Sequence, residues 1–496
     1  MNMKNTTTRA ASLIICVSLL ASIPACGNGS GTQDDTTAGG GSASDDTTTA
    51  AETEAHSPLY DMERKDYGGR EFRISISDKW GAEMWVEEED GDVCNDAVYN
   101  RNLKVEDYYN VRITPVITKI ASNTTHVEEV QKMLLAGEDL YDLTALYTCR
   151  AGWLALDGLL YNWRDIKGVD FSKEWWIQSA NDAFTIGGNQ YMAVGDLSIT
   201  TLLLSYAVFF NQRIIADYNL PNLYETVLDG NWTIDELLNC SKDIYQDLNN
   251  NEKVDKDDLL GFAADKVTNL DAWPAAFNIP LVTKDKDGKL SCNLNLDRMQ
   301  TGLEKVYSLY YDTKAYISSG DGSEIKAFAN GNVAFLTTWI DNSFNTLRDM
   351  KDDYGILPYP KLDEEQTNYY SNAMDNYSVL SVPKTVKPED TEFVGTITEA
   401  LTRENHYSVI SAYYDVALGA KYARDEQSVA MLDIIMSGRQ YDMSILHASS
   451  LERLPYLFRD LIAAKKTDVA SKYASIESAV KAGLDDLTET YAELAK

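Results

Sequence analysis

Apolar and polar side chains alternate over residues 71–77, where Phe72, Ile74 and Ile76 are separated by polar neighbours. A period of two predicts a β-strand with one buried face. Patterns of the same kinds continue along the chain, with helical spacing over residues 98–109 and 127–134 and strand-like segments over residues 111–115 and 141–147. Strands and helices in alternation predict an α/β domain with a largely parallel sheet.

A uniformly apolar run follows at residues 202–210. The run is far shorter than the ~20 residues that a membrane helix needs, so it predicts a buried strand leading into a helix. Further on, Trp232 and Thr233 open a helical pattern, and residues 333–338 form a strand-like segment before Trp339.

The chain has 496 residues with a net charge of −33. This length is enough for two or three domains of ~150 residues each and for a sizeable core. A strongly negative field repels phosphate backbones and anionic headgroups, which excludes nucleic acid as a partner and favours neutral or cationic ligands.

The N-terminal segment has the shape of a secretion signal. Lys4 and Arg9 precede residues 10–25, which are uncharged and end directly before Cys26. The segment is too short for a membrane span, and its end resembles the lipobox of bacterial lipoproteins. Residues 1–25 are therefore predicted to be a signal peptide, with Cys26 carrying the lipid and residues 26–58 forming an acidic tether. The alternative is an ordinary signal peptide with a chance cysteine.

The remaining cysteines and the histidines give no sign of a metal site. No Cys-x-x-Cys occurs, and the four histidines are scattered. The pairing of the four cysteines stays open from sequence, and so do free thiols: Cys94, Cys149, Cys240 and Cys292.

Aromatic residues follow two of the predicted strands. Trp80 comes shortly after the first strand, while Tyr147 and Trp153 stand at the end of the third strand and beyond it. Because ligands collect outside the carboxyl ends of parallel strands, these three side chains are candidate ligand contacts. Packing between domains is the alternative role for each of them.

Several segments, in a fixed order, carry a family resemblance. They are an apolar strand ending in Phe-Asn (Phe210-Asn211), the Trp-Thr helix start at Trp232, the Phe-x-x-Gly-x-x-Ala segment that starts at Phe328 and leads to Trp339, and residues 355–360 and 377–383. Together they resemble the extracellular solute-binding proteins of ABC importers, especially those for maltose and other oligosaccharides. The resemblance covers residues 58–496.

The resemblance implies a two-lobed α/β fold of the periplasmic-binding-protein type II class, with discontinuous lobes joined by crossing hinge strands. Lobe 1 is expected at 59–197 and 376–430, and lobe 2 at 205–372 and 431–496. Crossings are expected near 195–206 and 372–378, and a third somewhere in 415–445. The implied ligand contacts by position are Tyr147, Asp196 and Trp339, to which Asp341 and Tyr377 are added as neighbouring candidates.

One acidic stretch has the spacing of a calcium loop. Oxygen-bearing groups fall at the positions that a twelve-residue loop uses, namely Asp247, Asn249, Asn251, Asp255, Asp258 and the carbonyl of Lys253. It resembles EF-hand and dockerin loops, although Glu252 stands where those have glycine. The alternative is a solvated polar turn after a helix over 236–245.

The sequence thus predicts a monomeric, lipid-anchored protein on the outer face of a bacterial cell membrane. It would capture a carbohydrate, most simply an oligosaccharide, and pass it to an ABC permease without performing chemistry. No cofactor is required, and Ca²⁺ is an optional ligand. A secreted glycosidase or lyase, with two carboxylates across a cleft, is the first alternative. A surface adhesin is the second.

Overall fold

The computed structural model describes residues 58–122, 124–419 and 426–495. The predicted signal peptide, Cys26 and the tether up to residue 57 lie outside the described residues. Among the described helices, none combines the length and apolar character of a membrane-spanning segment.

The first sheet has four strands and carries the opening α/β pattern. They are Arg70–Ser77 (β1), Val111–Thr118 (β2), Leu143–Tyr147 (β3) and a strand from later in the chain, Ser378–Ser381. Across the sheet, the later strand lies at one edge, followed by β3, β1 and β2. β1 runs parallel to both neighbours, with Phe72 opposite Ile113 and Ile74 opposite Leu143. The largely parallel sheet predicted from the sequence is confirmed, and the later strand joins it antiparallel.

The second sheet has six strands of mixed direction. In chain order the remaining strands are Tyr206–Asn211 (β4), Tyr245–Gln246 (β5), Leu259–Asp265 (β6), Thr283–Lys284 (β7), Leu290–Ser291 (β8), Tyr316–Ser318 (β9), Val333–Trp339 (β10), Tyr354–Leu357 (β11) and, in the first sheet, Ser378–Ser381 (β12). The order is β11-β4-β10-β6-β5 with β9 beside β6, while β7 and β8 form a separate hairpin.

Eighteen α-helices of the described segments pack around these sheets: Val93–Tyr109 (α1), Thr125–Leu135 (α2), Thr148–Leu156 (α3), Gln178–Ala183 (α4), Thr200–Leu203 (α5), Gln212–Asp217 (α6), Leu223–Leu228 (α7), Ile234–Ser241 (α8), Ala272–Ala276 (α9), Leu296–Tyr307 (α10), Ser323–Ala329 (α11), Asp341–Phe344 (α12), Thr391–Glu404 (α13), Ile410–Gly419 (α14), Glu426–Ser437 (α15), Leu457–Ala463 (α16), Val469–Ala474 (α17) and Glu477–Leu494 (α18). The starts of α1 and α8 are capped by Asp92 and Thr233, whose side chains accept hydrogen bonds from backbone N–H groups of the first turn.

The chain passes between the two sheets more than once. The first passage leads from Ala193, which still pairs with Leu380 in β12, to β4, and the second leads from β11 to β12. The two passages run side by side, because the Tyr206 N–H donates to the Asn372 carbonyl at 3.1 Å and the Met374 N–H donates to the Leu204 carbonyl at 2.9 Å. We call residues 193–206 and 371–378 the first and second crossing segments.

The third passage lies between α13, which packs on α1 beside the first sheet, and α15, which packs on α7 and β11. Beyond α15, Arg439 pairs with Ser371, so the chain here runs alongside the second crossing segment. The lobe boundaries given above stay predictions. The four-stranded sheet is called the first sheet below, and the six-stranded sheet is called the second sheet.

One local prediction is wrong. The run 202–210 does not form a strand throughout, since α5 occupies Thr200–Leu203 and β4 begins only at Tyr206. The whole run is buried, and a run that is apolar on every side has no period that separates helix from strand. The helix after Trp232 also ends earlier than expected, at Ser241.

The largest apolar cluster includes residues of both sheets, such as Leu146 and Phe210, and each sheet also has a smaller cluster of its own. Phe72, Trp176 and Leu380 belong to the cluster of the first sheet, and Phe209 and Leu336 to a cluster on one face of the second sheet. The four cysteines whose state the sequence left open, Cys94, Cys149, Cys240 and Cys292, are all free and buried.

Candidate functional site

The loop after β1 holds Trp80 half-buried. Its backbone N–H donates to the Ser77 hydroxyl at 3.2 Å, and the same hydroxyl lies 3.1 Å from that of Tyr147. The Lys79 ammonium lies 5.3 Å from the centre of the Trp80 ring. The ends of β1 and β3 are therefore joined through side chains, as expected for neighbouring parallel strands.

Tyr147 and Trp153 differ in accessibility. Tyr147 is 1% exposed and presents no ring face to solvent, and burial raises its pKa to about 12. Trp153 on α3 is half-buried, with the Arg150 guanidinium 5.2 Å from its ring centre and its indole N–H donating to Ser449 at 3.2 Å. Of the two, Trp153 has the more accessible ring.

Trp339 and Asp341 lie at the end of β10 in the second sheet, and both are half-buried. Asn345 donates to Asp341 Oδ2 at 2.9 Å, and burial raises the pKa of Asp341 while the Lys79 ammonium opposes that rise. Asp341 and Trp339 thus place a carboxylate and an aromatic ring together at this end of the second sheet.

Asp196 lies in the first crossing segment and is paired with a histidine. Its carboxylate forms a short hydrogen bond with Nδ1 of His406, and Asn405 donates to its backbone carbonyl at 2.6 Å. The hydrogen bond to Asp196 raises the pKa of His406. Asp196 therefore fastens the first crossing segment to the helical segment after α13.

A cavity of about 160 Å³ opens beside the second crossing segment. Of the predicted contacts, only Tyr377 is among its lining residues. The other walls come from the segment that contains α9 (Asp271–Val282), from residues 372–375, and from residues 440–445 and 455–456. Two of the lining residues carry carboxylates. Asp271 belongs to the segment that contains α9, and Asp375 belongs to the second crossing segment.

Both carboxylates are held by the C-terminal part of the chain. The Tyr456 hydroxyl donates to Asp375 Oδ2 at 2.5 Å, and the Arg459 guanidinium contacts Asp271 Oδ2 at 2.8 Å. The Arg459 guanidinium also lies over the Tyr456 ring, 4.1 Å from its centre. Asn372 donates to the Asp271 carbonyl at 3.2 Å, which closes the network.

Three polar atoms of this cavity keep unused hydrogen-bonding capacity. Asp271 Oδ1, Asn372 Oδ1 and the Tyr441 hydroxyl are buried and have no hydrogen-bond partner among the described residues. Buried polar atoms are nearly always satisfied, so each of these three atoms around one cavity calls for a partner. Their chemistry suits a ligand that carries several hydroxyl groups.

Most of this network leaves no direct signal in the sequence pattern. Tyr456 and Asp375 are 81 positions apart, and Arg459 and Asp271 are 188 positions apart. With 77 acidic residues in the chain, spacing alone could not select these two. The only local trace is the i, i+3 placement of Tyr456 and Arg459, which puts both on one side of a helical turn.

The predicted calcium loop is folded around its own hydrogen bonds. The side-chain amides of Asn249 and Asn251 donate to the Asp255 carboxylate, and the buried Asp258 accepts from the backbone of Leu248 and Asp255. No group of three or more His, Cys, Asp or Glu side chains that could hold a metal is found in the described segments. Calcium would need both amides to turn their oxygens inward, so the site remains a prediction.

Similar solved structures share this architecture. An ABC substrate-binding protein from Listeria monocytogenes, in complex with cycloalternan, is 16% identical and covers 86% of this chain and 99% of its own, with a TM-score of 0.51. The maltose-binding periplasmic protein of the same organism, in complex with maltose, is 16% identical with a TM-score of 0.53 and covers 85% and 98%. A maltose/maltodextrin-binding domain from Bdellovibrio bacteriovorus, bound to maltotriose, is 13% identical with a TM-score of 0.53 and covers 84% and 99%.

No protein-family model and no curated protein matches the sequence. At these identities the similarity establishes the fold. The chain has the two-lobed α/β fold of ABC solute-binding proteins, which confirms the fold class expected from the resemblance.

Proposed function

We propose that this protein captures a carbohydrate outside the cell and delivers it to an ABC permease. The observation that carries the proposal is the cavity beside the second crossing segment, where aromatic rings and unpartnered polar oxygens meet in a fold shared with sugar-bound proteins. The protein performs no chemistry on the ligand in this proposal.

The charge of the cavity favours a neutral ligand. The described residues that line it include three aspartates, Asp271, Asp375 and Asp442, and no lysine, arginine or histidine, and the Arg459 guanidinium behind Asp271 is paired with only that one of the three carboxylates. Aspartate oxygens accept hydrogen bonds from sugar hydroxyls but repel carboxylates and phosphates. Asp442 is already used by the backbone N–H groups of Leu281 and Val282, each at 3.0 Å, so Asp271 and Asp375 are the available acceptors.

Aromatic faces supply the second part of sugar recognition. Trp80 and Trp339 are half-buried at the ends of strands in different sheets, and the rings of such side chains are complementary to the C–H faces of sugars. We infer that they stack on a ligand longer than the cavity itself. At about 160 Å³ the cavity is smaller than the ~300 to 1,000 Å³ typical of ligand pockets, so an oligosaccharide requires the lobes to separate and close again.

A thermal-shift series on the purified protein tests sugar capture. Neutral mono- and oligosaccharides, including maltose and maltotriose, are compared with uronic acids of the same size. A ligand bound only by the folded state adds about 2.7 kcal/mol at a hundredfold excess over its dissociation constant, so a binding sugar raises Tm clearly. Chromatography of the recovered sugar then separates binding from hydrolysis, because a glycosidase would return shorter products.

Membrane attachment is a separate proposal that rests on Cys26. A diacylglycerol on Cys26 would hold the protein at the outer face of the cell membrane, with residues 27–58 as spacer. In Cys26→Ser the protein should leave the membrane fraction or remain unprocessed. A mature Cys26→Ser protein that still sediments with membranes after a salt wash would contradict the lipid anchor.

A further inference from the structure

Glu83 ends the short 3-10 turn Gly81–Glu83 that follows Trp80, and it is 4% exposed. Its carboxylate connects this loop to both crossing segments. Oε2 accepts from the Thr200 backbone N–H at 2.8 Å, and Oε1 forms a short hydrogen bond with the Ser378 hydroxyl. Thr200 and Ser378 are themselves joined, since the Ser378 N–H donates to the Thr200 hydroxyl at 2.9 Å.

The backbone of the same loop is held by Arg101, which is fully buried on α1. Its guanidinium donates to the carbonyls of Glu83 and Met84 at 2.9 and 2.5 Å and to the side-chain oxygens of Asn102 and Asn405. With the Nε–H bonded to Asn102 as well, all five N–H groups of Arg101 are used. Asn405 then donates to the Asp196 carbonyl in the first crossing segment.

The loop after β1 is therefore bonded to the crossing segments at three places: Thr200, Ser378 and, through Arg101 and Asn405, Asp196. We propose that Glu83 is a positioning residue that makes the Trp80 loop move with the crossing segments when the lobes close on a ligand. This inference rests on the proposed function and adds a residue that need not touch the ligand.

Both protonation states of Glu83 can form these bonds. Burial raises the pKa of Glu83 to about 7, while Arg101 and the donors from Thr200 and Ser378 oppose the rise. The negative charge of ionised Glu83 also acts on the hydroxyl groups of Tyr147 and Tyr413 and helps to raise the pKa of each. A protonated carboxyl still accepts from Thr200 and donates to the Ser378 oxygen. A glutamine offers the same pair of groups, so Glu83→Gln should keep the connection.

The test is a double-mutant cycle on sugar affinity, using the sugar that gives the largest thermal shift. Glu83→Ala and Trp80→Ala should each weaken binding about tenfold, and the double variant should be no weaker than either single one. Glu83→Gln should retain wild-type affinity, as should the control Glu324→Gln, a buried acid on α11 away from the crossing segments. Additive losses, or unchanged affinity in Glu83→Ala, would overturn the proposal.

Two further measurements keep the test decisive. If Glu83→Ala does not fold, Ser378→Ala removes one donor to the same carboxylate and should show the same non-additivity with Trp80→Ala. Hydrogen exchange on the ligand-free protein should show faster exchange of residues 196–206 and 376–381 in Glu83→Ala or Ser378→Ala than in Glu324→Gln. If no sugar binds, the proposed function fails, and the exchange measurement still decides whether Glu83 holds the crossing segments.

Discussion

Tyr456 and Asp375 form a 2.5 Å hydrogen bond that joins the C-terminal segment to the second crossing segment. The bond fixes the orientation of a carboxylate on the cavity wall. The donor, Tyr456, lies three residues after Arg453, which together with Glu452 has a left-handed backbone conformation, with φ of 60° and 51° respectively. Such backbone is uncommon for residues other than glycine and is often found at functional sites.

Removing this hydroxyl tests the role of Asp375. In Tyr456→Phe the ring stays in place, but Asp375 loses its partner and is free to rotate, so sugar affinity should fall about tenfold, as expected for a hydrogen bond to a charged group. Calorimetric titration measures the change. Tyr311→Phe is the matched control, because its hydroxyl donates to the Ile462 carbonyl away from the cavity. Equal affinities of both variants would remove Asp375 from the site.

Trp339 offers a second test of the ligand site. Truncation in Trp339→Ala should weaken sugar binding by on the order of 2 kcal/mol, since it removes one of the two proposed stacking faces. Tyr307→Ala serves as control, because Tyr307 is also half-buried against the core but belongs to α10 and not to the ends of β1 or β10. A large loss of stability in Trp339→Ala with unchanged affinity would show that Trp339 is a core residue only.

The pair of Asp196 and His406 predicts a pH dependence of stability. The folded state raises the pKa of His406 above its ordinary value of about 6.5, so the stabilisation is complete below that value and is lost as pH rises through the folded-state pKa. The excess in free energy of unfolding of the wild type over His406→Gln, measured with urea from pH 5.5 to 9, should therefore shrink as the pH rises.

Two other described histidines do not disturb this comparison. Burial lowers the pKa of His126 to about 4 and that of His447 to about 3, so within the measured range they titrate only in the unfolded chain and add the same pH dependence to the wild type and to His406→Gln. A difference between wild type and His406→Gln that stays constant with pH would contradict the assignment of this pair.

Calcium binding remains open to a direct measurement. If the loop at 247–258 binds Ca²⁺, calorimetry on chelator-treated protein should give a dissociation constant of about 10⁻⁴ to 10⁻³ M, as in weak extracellular sites. The affinity should be low because Asn249 and Asn251 must first give up their bonds to Asp255. Absence of heat and an unchanged Tm at millimolar Ca²⁺ would exclude the site.

Regular periodicity made the fold predictable where it was present. Phe72, Ile74 and Ile76 form the apolar face of β1, while the other face holds the buried, hydrogen-bonded Ser75 and Ser77, and the predicted strand agrees with the structure within one residue. The uniformly apolar run that contains Leu202 and Phe210 lacked such a period, and its first part proved to be α5. Local pattern thus specifies an element only where its two faces meet different environments.

The site was harder to predict because its residues meet through tertiary contacts. Sequence reasoning added Tyr377, which lines the cavity, as a neighbouring candidate, but it did not select Asp271 or Arg459. Their ion pair forms only when α16 packs on the 3-10 turn Thr268–Asp271 that precedes α9. Glu83 carried no sequence signal either, since its partners Thr200 and Ser378 lie 117 and 295 positions away.

Calorimetric titration of the purified protein with neutral oligosaccharides and with uronic acids of equal length tests carbohydrate capture most directly. The cavity chemistry predicts saturable binding of one neutral sugar per chain, with a negative heat-capacity change from buried aromatic surface. Uronic acids should bind far more weakly, because the aspartates on the cavity wall repel them. No saturable heat from any neutral sugar at millimolar concentration, or tighter binding of the acidic sugars, would contradict this account.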